Sequence, residues 1–179
     1  MSERPTVVLL GCFHQAQFLI PTWVENCWCQ PSADFDRLVK TVVEEYGIRS
    51  VAEEATQAQD RISSAAAVAK AKEIPYENID IPNAVQEQIK LHPEKGKDEE
   101  GRYVRHEGKN LYRIAWDLVR EYHMYKTFLE FQKGQNPSLL ICGAEHQSML
   151  AVLLSQDFEV VQKTFDLPPP CAATPEDKS

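Results

Sequence analysis

Two short stretches of the chain carry the same pattern, Gly11-Cys12-Phe13-His14-Gln15 and Gly143-Ala144-Glu145-His146-Gln147, each directly after an apolar run of Leu, Val and Ile. A glycine at a strand's end lets the chain turn sharply or lets another group approach the backbone, and the histidine three residues on is then presented at the edge of the sheet. Two imidazoles at two strand ends can converge, and a neutral imidazole is what a general base or a metal ligand requires. His146 would also stand at the amino end of a helix carrying Met149 and Leu150, where the positive end of the helix dipole disfavours imidazolium. The bland alternative is that each histidine caps a helix or satisfies backbone groups.

Acidic residues follow other apolar runs. Glu53 and Glu54 are neighbours on one extended segment, so they point to opposite sides of it and at most one faces the cleft. Asp80, before Ile81-Pro82, stands where it could serve a cleft or accept from the backbone donors of a turn. On a long helical stripe Ile114, Glu121 and Phe128 share one row, which puts Glu121 at the edge of the buried face, where a carboxylate needs a partner. Arg120 belongs either to the same pocket or to a solvated network with Asp117. Cys12, His14, Cys27 and Cys29 supply zinc-type donors, but their spacing matches no standard zinc module. Neither histidine has a Ser or Cys nucleophile signature beside it, which leaves water as the simplest attacking group.

These residues must be positioned by the elements between them. Thr6 to Phe13 is a continuous apolar and β-branched run, as in a strand covered on both faces. Phe35, Leu38, Val39, Val42, Val43 and Tyr46 recur at helical spacing, with Ser32 or Asp34 as the cap and Gly47 as the stop. Ile48 to Ala52 is expected as a second strand, then a capping box at Thr56 and Gln59 opening an Ala-rich helix to about Glu73, then a third strand over Ile74 to Ile81. The stripe from Leu111 to Leu129 predicts a long helix, Ser138 to Cys142 a buried strand, Met149 to Leu154 a helix, and Phe158 to Phe165 a last strand. Strands alternating with helices predict an α/β fold: one domain over residues 1–166, a mostly parallel sheet of about five strands, helices on both faces. Ligands of such sheets sit outside the carboxyl ends of the strands, where His14, Glu53, Glu54, Asp80, Glu145 and His146 fall.

From Glu94 to Lys109 ten of sixteen residues are charged, five of each sign, so a charged surface insertion is expected at about 92–110. The tail 167–179 holds Pro168, Pro169, Pro170 and Pro175 and is expected to be disordered. A net charge of −8 argues against nucleic acid as a partner, and the seven glycines form no phosphate-binding loop. The apolar run Val7 to Phe13 is too short to span a bilayer and has no secretory flank, so no membrane association, a cytoplasmic address and reduced thiols for the five cysteines are expected.

The motif Gly11 to His14, the acidic residue in Ala52-Glu53-Glu54-Ala55, the helix motif Arg120-Glu121-x-x-Met124 and the closing Cys142-Gly143-Ala144-Glu145-His146 with Leu150 and Leu153 resemble the superfamily that joins TraB/PrgY proteins, Tiki proteases, erythromycin esterases and ChaN haem-binding lipoproteins. The resemblance covers most of residues 6–165 and rests on short motifs. It implies a compact α/β domain in which His14, Glu54 and His146 form the catalytic or metal-binding core and Arg120 and Glu121 complete the pocket. It also favours Glu54 over Glu53, because the acidic residue of the esterases is followed by Ala, as here. The chain has no counterpart of the large helical additions of the esterases or the Tiki membrane anchor, which turns the expectation away from macrolide hydrolysis and membrane-tethered proteolysis.

The expectation is therefore a hydrolase of a small-molecule or peptide substrate. His14 is its general base on water, helped by Glu54, with His146, Arg120 or a divalent metal (zinc or manganese) stabilising the oxyanion. The alternatives are a cleft that binds haem, a metal or another small ligand without turnover, and an interaction domain docking through 94–109.

Overall fold

The computed structural model describes residues 4–17, 22–24, 27–29, 32–55, 62–82, 85, 111–166 and 171–172. Its elements in chain order are β1 (Thr6–Cys12), a 3-10 turn (His14–Gln17), β2 (Thr22–Val24), β3 (Cys27–Cys29), α1 (Ala33–Glu45), β4 (Ser50–Glu53), α2 (Ser64–Lys72), β5 (Tyr76–Asn78), α3 (Leu111–Phe131), β6 (Ser138–Gly143), α4 (Gln147–Leu154), β7 (Glu159–Phe165) and β8 (Cys171–Ala172). The expected α/β architecture is present. Five strands make a parallel sheet in the order β5-β4-β6-β1-β7. Parallel neighbours need crossovers, and the helices between the strands supply them.

Alternation along the strands sorts the core into two layers. Val8, Leu10 and Cys12 of β1, with Val51, Leu139 and Ile141, pack under α1 (Phe35, Val39, Val42) and α2 (Ala65, Val68, Ala69). Val7, Leu9, Ala52, Leu140 and Cys142 face the other way, against α3 (Met124, Tyr125, Phe128) and α4 (Leu150, Ala151, Leu154). Strands buried on both faces are what the unbroken apolar runs of β1 and β6 require.

The helix ends show their causes. Ser32 caps α1 by accepting from Phe35 N, and Gly47 takes a φ of +59° just beyond its end. For α2 the cap is Ser63, whose Oγ accepts from Ala66 N, and not the expected Thr56, which lies outside the described residues. The third strand is also shorter than expected. The Asn78 side chain bonds both backbone groups of Ala55 and accepts from Asp80 N, which replaces ladder pairing with a turn.

A separate three-stranded antiparallel sheet has the order β2-β3-β8. Cys171 and Ala172, inside the tail expected to be disordered, pair there with Cys29 and Trp28, because β3 offers them an open edge. The remainder of that tail and the expected charged insertion lie outside the described residues. Among the described residues no helix is long and apolar enough to cross a membrane.

Candidate functional site

Three neighbouring strands, β4, β6 and β1, end at one place, and the first polar residues beyond them meet there. Glu54 follows β4 on the α3/α4 side of the sheet, as strand alternation demands once Val51 and Glu53 face α1 and α2. Its Oε2 accepts from the backbone N–H of Gly143 at 2.7 Å, which ties the acid to the end of β6. Its Oε1 is the centre of the cluster: His14 Nε2 lies 3.6 Å away, His146 Nε2 3.5 Å and Arg120 Nη2 2.7 Å.

The two glycines of the repeated motif explain how the histidines come so close. A Cβ on Gly143 would stand 2.7 Å from His14 Nε2, so the second motif's glycine makes room for the first motif's imidazole. Reciprocally, a Cβ on Gly11 would stand 2.5 Å from Gln147 Oε1. Gln147 fills that space with its amide, donating to the backbone oxygens of Leu9 and Lys163 and accepting from Thr164 Oγ1. The two motifs interlock, each emptied at its glycine for a side chain of the other.

His146 is the first residue of the α4 turn but makes no side-chain cap bond. Its Nδ1–H instead donates to Glu121 Oε1 at 3.0 Å, so the buried-row carboxylate of α3 finds the partner it needs. Its Nε2 is buried and has no hydrogen-bond partner among the described residues. Three carboxylates lie around this ring, with Glu54 and Glu121 joined by Glu145 Oε1 at 3.9 Å, a surrounding that the helix-dipole expectation did not include.

Arg120 belongs to the pocket, with its side chain 19% exposed. Nε and Nη2 donate to the two oxygens of Asp80, each at 2.8 Å, while Nη2 also contacts Glu54. Burial works against the guanidinium's charge, but the bonds to Asp80 and the charge of Glu54 prevail and hold its pKa above the ordinary value. Asp80 Oδ1 also accepts from Ile81 N, so the residue is a turn acceptor as well as the partner of Arg120.

Glu53 turns to the opposite face, where Ser63 Oγ and Tyr76 Oη donate to its Oε2 and Oε1 has no partner among the described residues. Burial pushes its pKa up to about 7 against those two hydrogen bonds. Burial likewise raises both Cys12 and Cys142, with nearby carboxylates adding to it; Cys12 is packed in the α1/α2 core. These thiols are inert core groups.

Gln17 was not singled out from the sequence. Its Oε1 lies 3.0 Å from His14 Nδ1 and its Nε2 donates to the backbone oxygen of Glu54 at 3.0 Å. In a 3-10 turn residues i and i+3 eclipse, so the H-x-x-Q spacing was the available signal. Beside the cluster, an open groove of about 460 Å³ between α3 and α4 is lined by Glu121, Glu145, Leu118, Met149 and Val152 among others.

The donor set does not fit a divalent metal. The oxygen that both imidazoles face is already in contact with a guanidinium, and Asp80 is taken up by the same cation. Among the described residues no group of three or more His, Cys, Asp or Glu is arranged to hold a metal ion. No protein-family model matches the chain, and neither a curated protein nor a solved structure matches it.

Proposed function

We propose that the protein is a hydrolase of a small-molecule or peptide substrate in which His14 activates water without a metal. One observation carries this reading: two imidazole nitrogens converge on a single buried carboxylate oxygen that an arginine also touches. His14 and Arg120 are the accessible members, with side chains 24% and 19% exposed, against 0% for Glu54 and 1% for His146. The groups offered to a substrate are thus a base and a cation, backed by a buried carboxylate.

A water entering this cup meets acceptors at His14 Nε2, His146 Nε2 and Glu54 Oε1. As its oxygen attacks an acyl carbon, His14 Nε2 takes one proton and the carbonyl electron pair moves to oxygen. Arg120 is the cation that faces the resulting oxyanion, and Glu54 stabilises the imidazolium. Collapse expels the leaving group, which receives the proton back from His14. The groove beside Glu121, with apolar walls at Leu118, Met149 and Val152, gives a place for the substrate's body.

The test is a panel of chromogenic esters, amides and short peptides assayed with the wild type and His14→Ala in parallel. Turnover by the wild type that His14→Ala abolishes, with unchanged melting, supports the reading. Turnover that persists in the variant, or a panel with no substrate turned over, overturns it and leaves a binding cleft.

A further inference from the structure

We infer that Gln17 is the positioning residue of the site: it fixes His14 as the Nδ1–H tautomer and so leaves Nε2 as the lone pair directed at the cluster. The inference rests on the reading of His14 as the base, but its own argument is one of hydrogen-bond chemistry.

A backbone oxygen only accepts, so the end of the Gln17 amide that faces the oxygen of Glu54 at 3.0 Å must be the NH2 group. The opposite end, 3.0 Å from His14 Nδ1, is then the carbonyl oxygen, which only accepts. His14 Nδ1 must therefore carry the proton. In a neutral imidazole the other nitrogen is then an acceptor, and Nε2 is the atom that packs on Gly143 and faces Glu54 Oε1. The amide is fully buried and bonded at both ends, so it cannot flip without leaving the Glu54 oxygen unpaired. Because Gln17 grips the backbone of Glu54 while orienting the ring of His14, one side chain sets both the register of the acid and the tautomer of the base.

The pattern repeats on the second imidazole by other means. The Glu121 carboxylate fixes Nδ1–H of His146, so both rings turn Nε2 inward. An amide orients the exposed ring and a carboxylate the buried one. A neutral orienter holds the His14 tautomer without a charge on that side, leaving Glu54 as the carboxylate at its Nε2.

The experiment is nitrogen-15 NMR of the imidazoles in histidine-labelled protein at alkaline pH, with His14 assigned by its loss in His14→Ala. The expected result is a pyrrole-type Nδ1 and a pyridine-type Nε2 for His14. Gln17→Met should shift both signals towards the averaged, Nε2–H-rich pattern of free histidine. Gln17→Glu keeps the acceptor oxygen at Nδ1 and should keep the tautomer, though it loses the donor to the Glu54 oxygen; where neither variant folds, the wild-type spectrum alone decides. A pyridine-type Nδ1 in the wild type overturns the inference, as does a Gln17→Met spectrum unchanged at His14. The spectrum needs no substrate: the expected tautomer in a protein that turns nothing over defeats the hydrolase reading and leaves the role of Gln17 intact. Where turnover is found, Gln17→Met should lower kcat roughly tenfold or more with KM nearly unchanged, a smaller loss than removal of the base itself.

Discussion

Glu53 and Glu54 are adjacent in the chain and equally inaccessible, with no exposed surface on either, yet they sit in opposite chemical settings. Glu53 faces α1 and α2 among neutral donors, Ser63 and Tyr76, with one carboxyl oxygen unpaired among the described residues. Glu54 faces α3 and α4 beside a guanidinium and two imidazoles, with a backbone N–H on its other oxygen. Among the described residues no cation pairs with the first, and burial raises its pKa to about 7. The second is held in an ion-pair cluster that reaches solvent through His14 and Arg120. Burial alone therefore says little about a carboxylate's setting; the groups on its own side of the sheet decide whether it meets neutral donors or cations.

The comparison breaks most visibly at the exposed end of the cleft side. On the proposed hydrolase reading, His14→Ala should lower turnover by about 10²- to 10⁴-fold, the usual worth of a general base, while the melting temperature stays close to that of the wild type because the ring is part-exposed. A large drop in melting temperature would make the histidine structural. Next in size is Arg120→Met, which leaves Glu54 and Asp80 buried without their cation. Removing one member of a buried ion pair costs about 3–5 kcal/mol, and urea unfolding at neutral pH should show a loss in that range. A loss of a few tenths of a kcal/mol would mean that the cluster is solvated and that the two glutamates differ less than their surroundings suggest.

On the closed side the effect has the opposite sign. The folded protein holds the proton of Glu53 up to about pH 7, whereas the ordinary value is 4.5. Below the lower value both states are protonated and Glu53 costs nothing. As pH rises between the two values the unfolded chain loses the proton first, so folded stability falls, and above about 7 the full cost is present. Its size is of order 3 kcal/mol. Glu53→Gln should remove this dependence, so the variant gains on the wild type between urea titrations at pH 5 and pH 8. An equal difference at both pH values would show that Glu53 is ionised throughout and paired by something other than Ser63 and Tyr76.

Much of this arrangement was legible in the chain. The echo of Gly11 to Gln15 in Gly143 to Gln147 marked two strand ends, alternation separated Glu53 from Glu54, and the row Ile114, Glu121, Phe128 placed a carboxylate at the edge of a buried face. The pairing of Arg120 with Asp80 was not legible, because it depends on β5 lying beside β4 and on α3 packing in the same core layer as Ala52 and Ile79. Gln17 was hidden for a related reason: the echo drew the eye to Gln15, while a 3-10 turn, not a strand or helix period, brings Gln17 under the ring. Ser63 caps α2 in place of Thr56 because its hydroxyl also reaches Glu53, a tertiary contact that a local capping pattern does not contain.

The interlocked glycines give the finest test, since they compare the two motifs directly. Gly11→Ala drives a methyl group into Gln147, whose amide is held by three hydrogen bonds and is fixed between β1 and β7. That amide has nowhere to go, and a loss of about 1–3 kcal/mol is expected from overpacking and lost hydrogen bonding. Gly143→Ala meets the inward Nε2 edge of the His14 ring instead, and a part-exposed ring can swing towards solvent. Its stability cost should be at most about 1 kcal/mol, but the displaced ring no longer faces Glu54, so turnover should fall sharply in a protein that melts almost normally. Urea midpoints and initial rates on the two variants separate the roles. If Gly11→Ala were the tolerated change and Gly143→Ala the unfolding one, the second motif would be the structural half of the pair, and the division between a fixed Gln147 and a working His14 would be reversed.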